Sequence, residues 1–151
     1  MVESIVIQSD EEGILAVERF LEHFFDTYHV SNYSASISVA VLSAVRNAVV
    51  HGNGSNPVRQ VRIEAGHCRG GLFFLVQDQG EGFDYSCYLN SSNAKLSNGL
   101  FLIDSLSDKV EFFNGGSTVR MEFNIDGIYL PDAMSRASRL VEFFQPQMAH
   151  I

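Results

Sequence analysis

The sequence predicts an α+β two-layer sandwich: a mostly antiparallel mixed sheet with helices packed on one face. Three observations carry this expectation. A short β-branched opening strand is followed by two segments of helical apolar spacing. Two strands joined by a glycine turn come next, and a second hairpin closes the pattern after a long polar loop and a short helix. The order β-α-α-β-β-loop-α-β-β lacks the regular alternation of a doubly wound parallel sheet.

Taken in order, Ser4-Ile5-Val6-Ile7-Gln8-Ser9 alternates weakly and reads as the first strand. Ser9-Asp10-Glu11-Glu12 supplies a helix cap and an acidic first turn. Ile14, Leu15, Val17, Phe20, Leu21, Phe24 and Phe25 then recur at helical spacing up to about Tyr28. The second helix is expected from Ser34 to Val50, with Ile37, Val41, Leu42, Val45 and Val49 as its apolar positions, stopped by His51-Gly52-Asn53-Gly54. Arg59 to Ala65 alternates as a half-buried strand, Arg69-Gly70-Gly71 turns, and Leu72 to Val76 is apolar throughout, as a fully buried strand is. Gln77 to Asn98 is a loop rich in Gly, Ser and Asn, long enough to suggest function. A short helix from Gly99 to Leu106 leads into strands Lys109 to Phe113 and Thr118 to Phe123, with Asn114-Gly115-Gly116 between them. These elements make one domain over residues 1–125. The tail, 126–151, is expected to add an amphipathic helix from Asp132 to Phe144, after Pro131.

Composition narrows the function. The chain has 151 residues, 46% hydrophobic and 19% charged, the balance of an ordinary globular domain. No apolar run approaches the roughly 18 residues of a membrane span, and the acidic N-terminus lacks the basic region of a signal peptide. Cys68 and Cys87 form neither a disulfide framework nor a metal-ligand pattern, so a cytoplasmic location with free thiols is expected. Ten basic residues stand scattered against eighteen acidic ones, a net charge of −8. That balance argues against nucleic acid as the main ligand, because phosphate binding needs clustered Lys and Arg.

Three features point to chemistry, and each alone admits a purely structural reading. Ser36, Ser43 and Asn47, spaced by seven and four, share one face of a helix otherwise built of Ala and Val. Such a stripe either faces a ligand or eases helix packing. Asp78-Gln79-Gly80-Glu81-Gly82-Phe83 follows the most apolar strand; a carboxylate at a strand end can accept from an exocyclic amine, and the glycines permit close backbone approach or simply turn the chain. Ser97-Asn98-Gly99-Leu100 delivers a glycine to a helix start, where free N–H groups favour an anion, although Asn98 also serves as an ordinary cap. Neither a dinucleotide fingerprint nor a Walker A sequence is present. His51 reads as a local capping or packing residue, and His23 and His29 are not spaced as a helical metal pair.

In combination the three segments resemble a known family. Asn47-Ala48-Val49-Val50-His51-Gly52-Asn53, Asp78-Gln79-Gly80-Glu81-Gly82-Phe83-Asp84 and Asn98-Gly99-Leu100-Phe101-Leu102-Ile103 look like the asparagine box and two glycine boxes of the Bergerat-fold ATPases. Within that family the chain is most similar to the anti-sigma-factor serine/threonine kinases, over nearly all of Ser4 to Phe123. The resemblance implies ATP and Mg²⁺ as cofactors. Asn47 would ligate the metal and Asp78 would hold the adenine amine. Gly80, Gly82, Asn98 and Gly99 would approach base and phosphates, Ser117 would lie near the base, and Tyr85 to Asn98 would be the ATP lid.

Two departures stand out. The family's general-base glutamate, four residues before the asparagine, is Ser43 here, and losing such a base typically costs about 10²–10⁴-fold in rate. The lid's usual Gly-x-Gly is Ser97-Asn98-Gly99, with Lys95 nearby as either a phosphate contact or a solvated cation. Three readings follow: a kinase acting on an anti-sigma antagonist, an ATP-binding module working through a sigma factor or antagonist with catalysis weak or absent, and a fold that no longer takes ATP. A homodimer or protein contact through Phe143 and Phe144 of the tail is a further expectation.

Overall fold

A computed structural model of the protein describes residues 2–30, 33–82 and 98–125. The expected lid up to residue 97 and the tail with its expected helix, Phe143 and Phe144 lie outside the described residues.

Helix α1 (Glu11–Tyr28) starts where the sequence places its cap. Asp10 is extended and its carboxylate accepts from the Gly13 N–H at 2.8 Å, while Glu11 and Glu12 set negative charge against the positive end of the helix dipole. Ile14, Val17, Leu21, Phe24, Phe25 and Tyr28 form its buried stripe. His29, at a φ of 56°, closes it by donating its N–H to the Phe25 carbonyl.

Helix α2 (Ser34–Asn47) is shorter than its apolar pattern implies. At Asn47 the α-helix widens into one π-helical turn, Ala48–Gly52, which Asn53 closes by donating its backbone N–H to the Ala48 carbonyl at 2.8 Å. Such wide turns occur frequently at functional sites. Together the two form a helix of 19 residues whose mean hydropathy reaches 1.2, long and apolar enough by composition to cross a membrane, contrary to the expectation from the sequence. The helix passes that test because it is built from Ala, Val and Ile around a single charge, Arg46. Here it is a core helix, with Ile37, Ala40, Val41, Ala44 and Val45 buried and α1 and the later helix α3 (Asn98–Leu106) packed beside it.

Strands β1 (Val2–Gln8), β2 (Gln60–Cys68), β3 (Gly71–Gln77), β4 (Lys109–Phe113) and β5 (Thr118–Asn124) form one sheet in the order β1-β2-β3-β5-β4. Every neighbouring pair is antiparallel, so the expected mixed sheet has no parallel pair among the described residues. Two helices in succession, rather than one, separate β1 from β2; the second carries the chain back, and β2 enters antiparallel. β1 begins two residues earlier than expected because β2 runs on to Cys68 and offers Gly66 as the partner of Val2.

Alternate residues of the strands face the helices. Ile7, Val61, Ile63, Ala65, Leu72, Phe74, Val76, Val119, Met121 and Phe123 are buried there with α1, α2 and α3 (Asn98–Leu106). The other face carries ion pairs, among them Arg62–Glu64 at 2.8 Å and Arg120–Glu122 at 3.0 Å, with the Arg120 guanidinium 4.7 Å from the Phe73 ring centroid. Ion pairs on a face open to solvent add little stability, so the fold rests on the apolar layer.

Candidate functional site

The end of α2, the end of β3 and the start of β5 meet beneath α3, and a cavity of about 290 Å³ opens between them. Ligand sites typically span about 300–1,000 Å³, so this one matches a base-sized group at the lower limit. Its walls are largely apolar, with Ala48, Val76, Leu100, Ile103 and Val119 prominent. Asn47, His51, Asp78 and Ser117 are its polar members.

Asp78 follows the last residue of β3. Its backbone N–H donates to the Ser117 carbonyl at 2.9 Å, which ties the strand end to the β4–β5 hairpin. One carboxylate oxygen, Oδ1, accepts from the Gly80 N–H at 2.8 Å. Burial pushes the carboxyl above its ordinary range, while the Gly80 hydrogen bond and the Arg59 charge pull the other way. A half-buried acceptor beside an apolar wall is chemically suited to a donor ligand such as an exocyclic amine.

Glycine serves two close approaches here. A Cβ on Gly52, in the π-turn, would run into the Asp78 carboxylate, so the turn and the strand end touch only because Gly52 has none. Gly82, at a φ of 86°, lets its backbone lie against the Gly115 carbonyl, where a side chain would collide. Gly80 is packed on the Gly52 carbonyl and does not line the cavity. Asn98 opens α3, with Gly99 next in its first turn; Leu100 and Ile103 of that helix reach the cavity.

The polar stripe expected on α2 does not hold together. Ser36 is exposed, and Ser43 turns its hydroxyl back onto the Val39 carbonyl at 2.7 Å. A helical Ser finds its acceptor one turn back, so sharing a helix face does not aim these hydroxyls at a ligand. Asn47 alone of the three lines the cavity. His51, expected to act locally, lines it as well, from its place in the π-turn. Gly52 and Asn53 carry no individual role in the sequence beyond stopping the helix and closing the asparagine-box segment.

A bound nucleotide fits this lining in outline: an apolar slot, a carboxylate acceptor at its wall, and the Gly52, Gly82 and Gly116 backbones along it. Among the described residues no group of three His, Cys, Asp or Glu is placed to hold a metal. Magnesium often takes one or two protein ligands and completes its shell with phosphate and water, so Asn47 suffices only for a metal arriving with phosphates.

The family model described as histidine kinase-like ATPase domain matches residues 7–123. The match covers every described strand and helix, in whole or in part. No curated protein matches the chain.

Proposed function

The chain belongs to the histidine kinase-like ATPase domain family, and on that premise we propose that it is an ATP-binding regulatory protein of the anti-sigma-factor type. It acts by binding a protein partner, a sigma factor or its antagonist, with phosphotransfer weak or absent. The observation that carries the reading is the juxtaposition of Asn47, Asp78 and Ser117 around one apolar cavity; Ser43, where the family resemblance would put the general base, supports the weak catalysis. Asp78 would accept from the adenine amine and Ser117 would flank the base. Asn47 would ligate a Mg²⁺ that neutralises phosphate charge, Gly82, Asn98 and Gly99 would approach the nucleotide through backbone, and Gly80, expected to do the same, would act one step back through the bond its N–H donates to Asp78. A cytoplasmic location and a homodimer belong to the same proposal.

Ser43 supports the weak-kinase reading by its chemistry. A serine hydroxyl does not ionise near neutral pH, and the bond it donates to the Val39 carbonyl leaves its oxygen neutral and far too weakly basic to take a proton from a substrate hydroxyl. The alternative, an active serine/threonine kinase phosphorylating an anti-sigma antagonist, follows from the same family membership.

Titrating Mg-ATP while following the melting temperature tests the ligand. A ligand specific to the native state stabilises by about 2.7 kcal/mol at a hundred times its Kd, a rise of several degrees for a domain of this size. Asn47→Ala should abolish the magnesium-dependent part of the rise and leave the fold intact. No shift at millimolar Mg-ATP overturns the reading. Phosphotransfer to a candidate partner separates the alternatives: Ser43→Glu should speed it by about 10²-fold. A wild type that transfers phosphate efficiently, with no gain from the substitution, makes the chain a kinase using another base.

A further inference from the structure

Asn53 is 2% exposed, and its side chain uses all its hydrogen-bonding capacity except one acceptor lone pair. Nδ2 donates to Ser9 Oγ at 2.9 Å and to the Gln60 carbonyl at 3.0 Å, while Oδ1 accepts from the Gln79 backbone N–H at 2.8 Å. This one amide therefore ties the end of β1, the start of β2 and the residue after Asp78. Ser9 is itself fixed, its hydroxyl donating to the Arg59 carbonyl at 2.8 Å. Gln79 is held a second time, because its side-chain Oε1 accepts from the Gln60 N–H at 2.7 Å.

Asp78 stands between two anchors. Its own N–H is bonded to the Ser117 carbonyl, and the next residue is bonded to Asn53. Gly52, the neighbour of Asn53 in sequence, presses on the carboxylate with no room for a Cβ. The Asn53 amide thus sets how far the π-turn stands from the strand end, and with it where the carboxylate points. Asn53 does not line the cavity and has no group left to offer a ligand beyond a buried lone pair.

We propose that Asn53 is the positioning residue for the Asp78 carboxylate, and that preference for adenine over guanine nucleotides at this site depends on it. The inference rests on the nucleotide reading above. A carboxylate rewards the amine at position 6 of adenine and repels the oxygen at the same position of guanine, but only when its direction is fixed, since hydrogen bonds weaken steeply with misalignment. A site built around such a bond rejects the analogue that lacks it, and freeing the carboxylate to turn away erases the penalty.

The test compares wild type, Asn53→Ala and Ser9→Ala by calorimetric titration with Mg-ATP and Mg-GTP, well below each melting temperature. Asn53→Ala should lose about tenfold or more of the ATP-over-GTP preference. Ser9→Ala removes a partner of Asn53 but leaves the Gln79 bond; it should lower the melting temperature and keep the preference. A preference retained in folded Asn53→Ala overturns the inference alone, and so does a loss of equal size in Ser9→Ala, which would mark a general effect of stability. A wild type that binds no adenine nucleotide overturns the functional reading and the inference together. If Asn53→Ala does not fold, amide exchange in the wild type decides: Gln79 should exchange much more slowly than Glu81, and equal rates overturn the brace.

Discussion

Burial holds the Asp78 carboxyl above its ordinary value of 3.8, outweighing the Gly80 hydrogen bond and the Arg59 charge. A carboxyl whose native pKa is raised binds its proton more tightly when folded. Its contribution to stability is therefore fully present below 3.8 and is lost as pH rises through the raised native value. At neutral pH the ionised Asp78 opposes folding. Asp78→Asn should raise the melting temperature of the ligand-free protein at pH 7, with the advantage over wild type shrinking as pH falls toward 4, and should lose binding of Mg-ATP. Thermal melts across pH with and without nucleotide check both halves. If the Asp78→Asn variant is less stable than wild type at pH 7, the carboxylate is held by partners that outweigh its burial. The residue types at this site were legible: a carboxylate after an apolar strand and glycines around it. The Asn53 bonds were not, because they join residues 44 and 26 apart in sequence, and no local pattern marks a buried amide.

Among the elements, the π-turn Ala48–Gly52 is the one that local periodicity could not reveal. Its apolar residues continue the helical pattern of α2, so nothing in their spacing marks the widened turn. The strands lie closer to the surface of the sequence. Alternation marks β2 and, weakly, β1, a continuous apolar run marks the central β3, and glycines mark both hairpin turns. Only the ends moved, because strand length depends on how far the partner extends. The turn makes a sharp prediction. Gly52→Ala keeps good helix propensity, yet its Cβ meets the Asp78 carboxylate, so either the turn or the acidic side chain must shift. Helical content by circular dichroism should be unchanged, while affinity for Mg-ATP falls about tenfold or more. Unaltered affinity would show that Asp78 can turn aside without leaving its ligand.

At the scale of the whole molecule, the sheet order brings together parts of the chain that sequence keeps apart. β5 pairs with β3 rather than standing at the edge, so Ser117 bonds to Asp78 although 39 residues separate them (117 less 78). Adding Mg-ATP should slow amide exchange at 48–53, 76–80 and 116–119 in concert, as mass spectrometry of exchanged peptides would report. Protection of one of these segments without the others would place the ligand elsewhere. The same β3–β5 pairing has a consequence for the polypeptide as a linear object. Residues up to 82 carry Asn47 and Asp78, and residues from 98 onward carry the opposite wall, Leu100, Ile103, Ser117 and Val119. Neither stretch encloses the cavity without the other, so an occupant touches both at once. A bound nucleotide would act as a clasp between two halves of one chain, and its loss would be felt first along the seam where β3 meets β5.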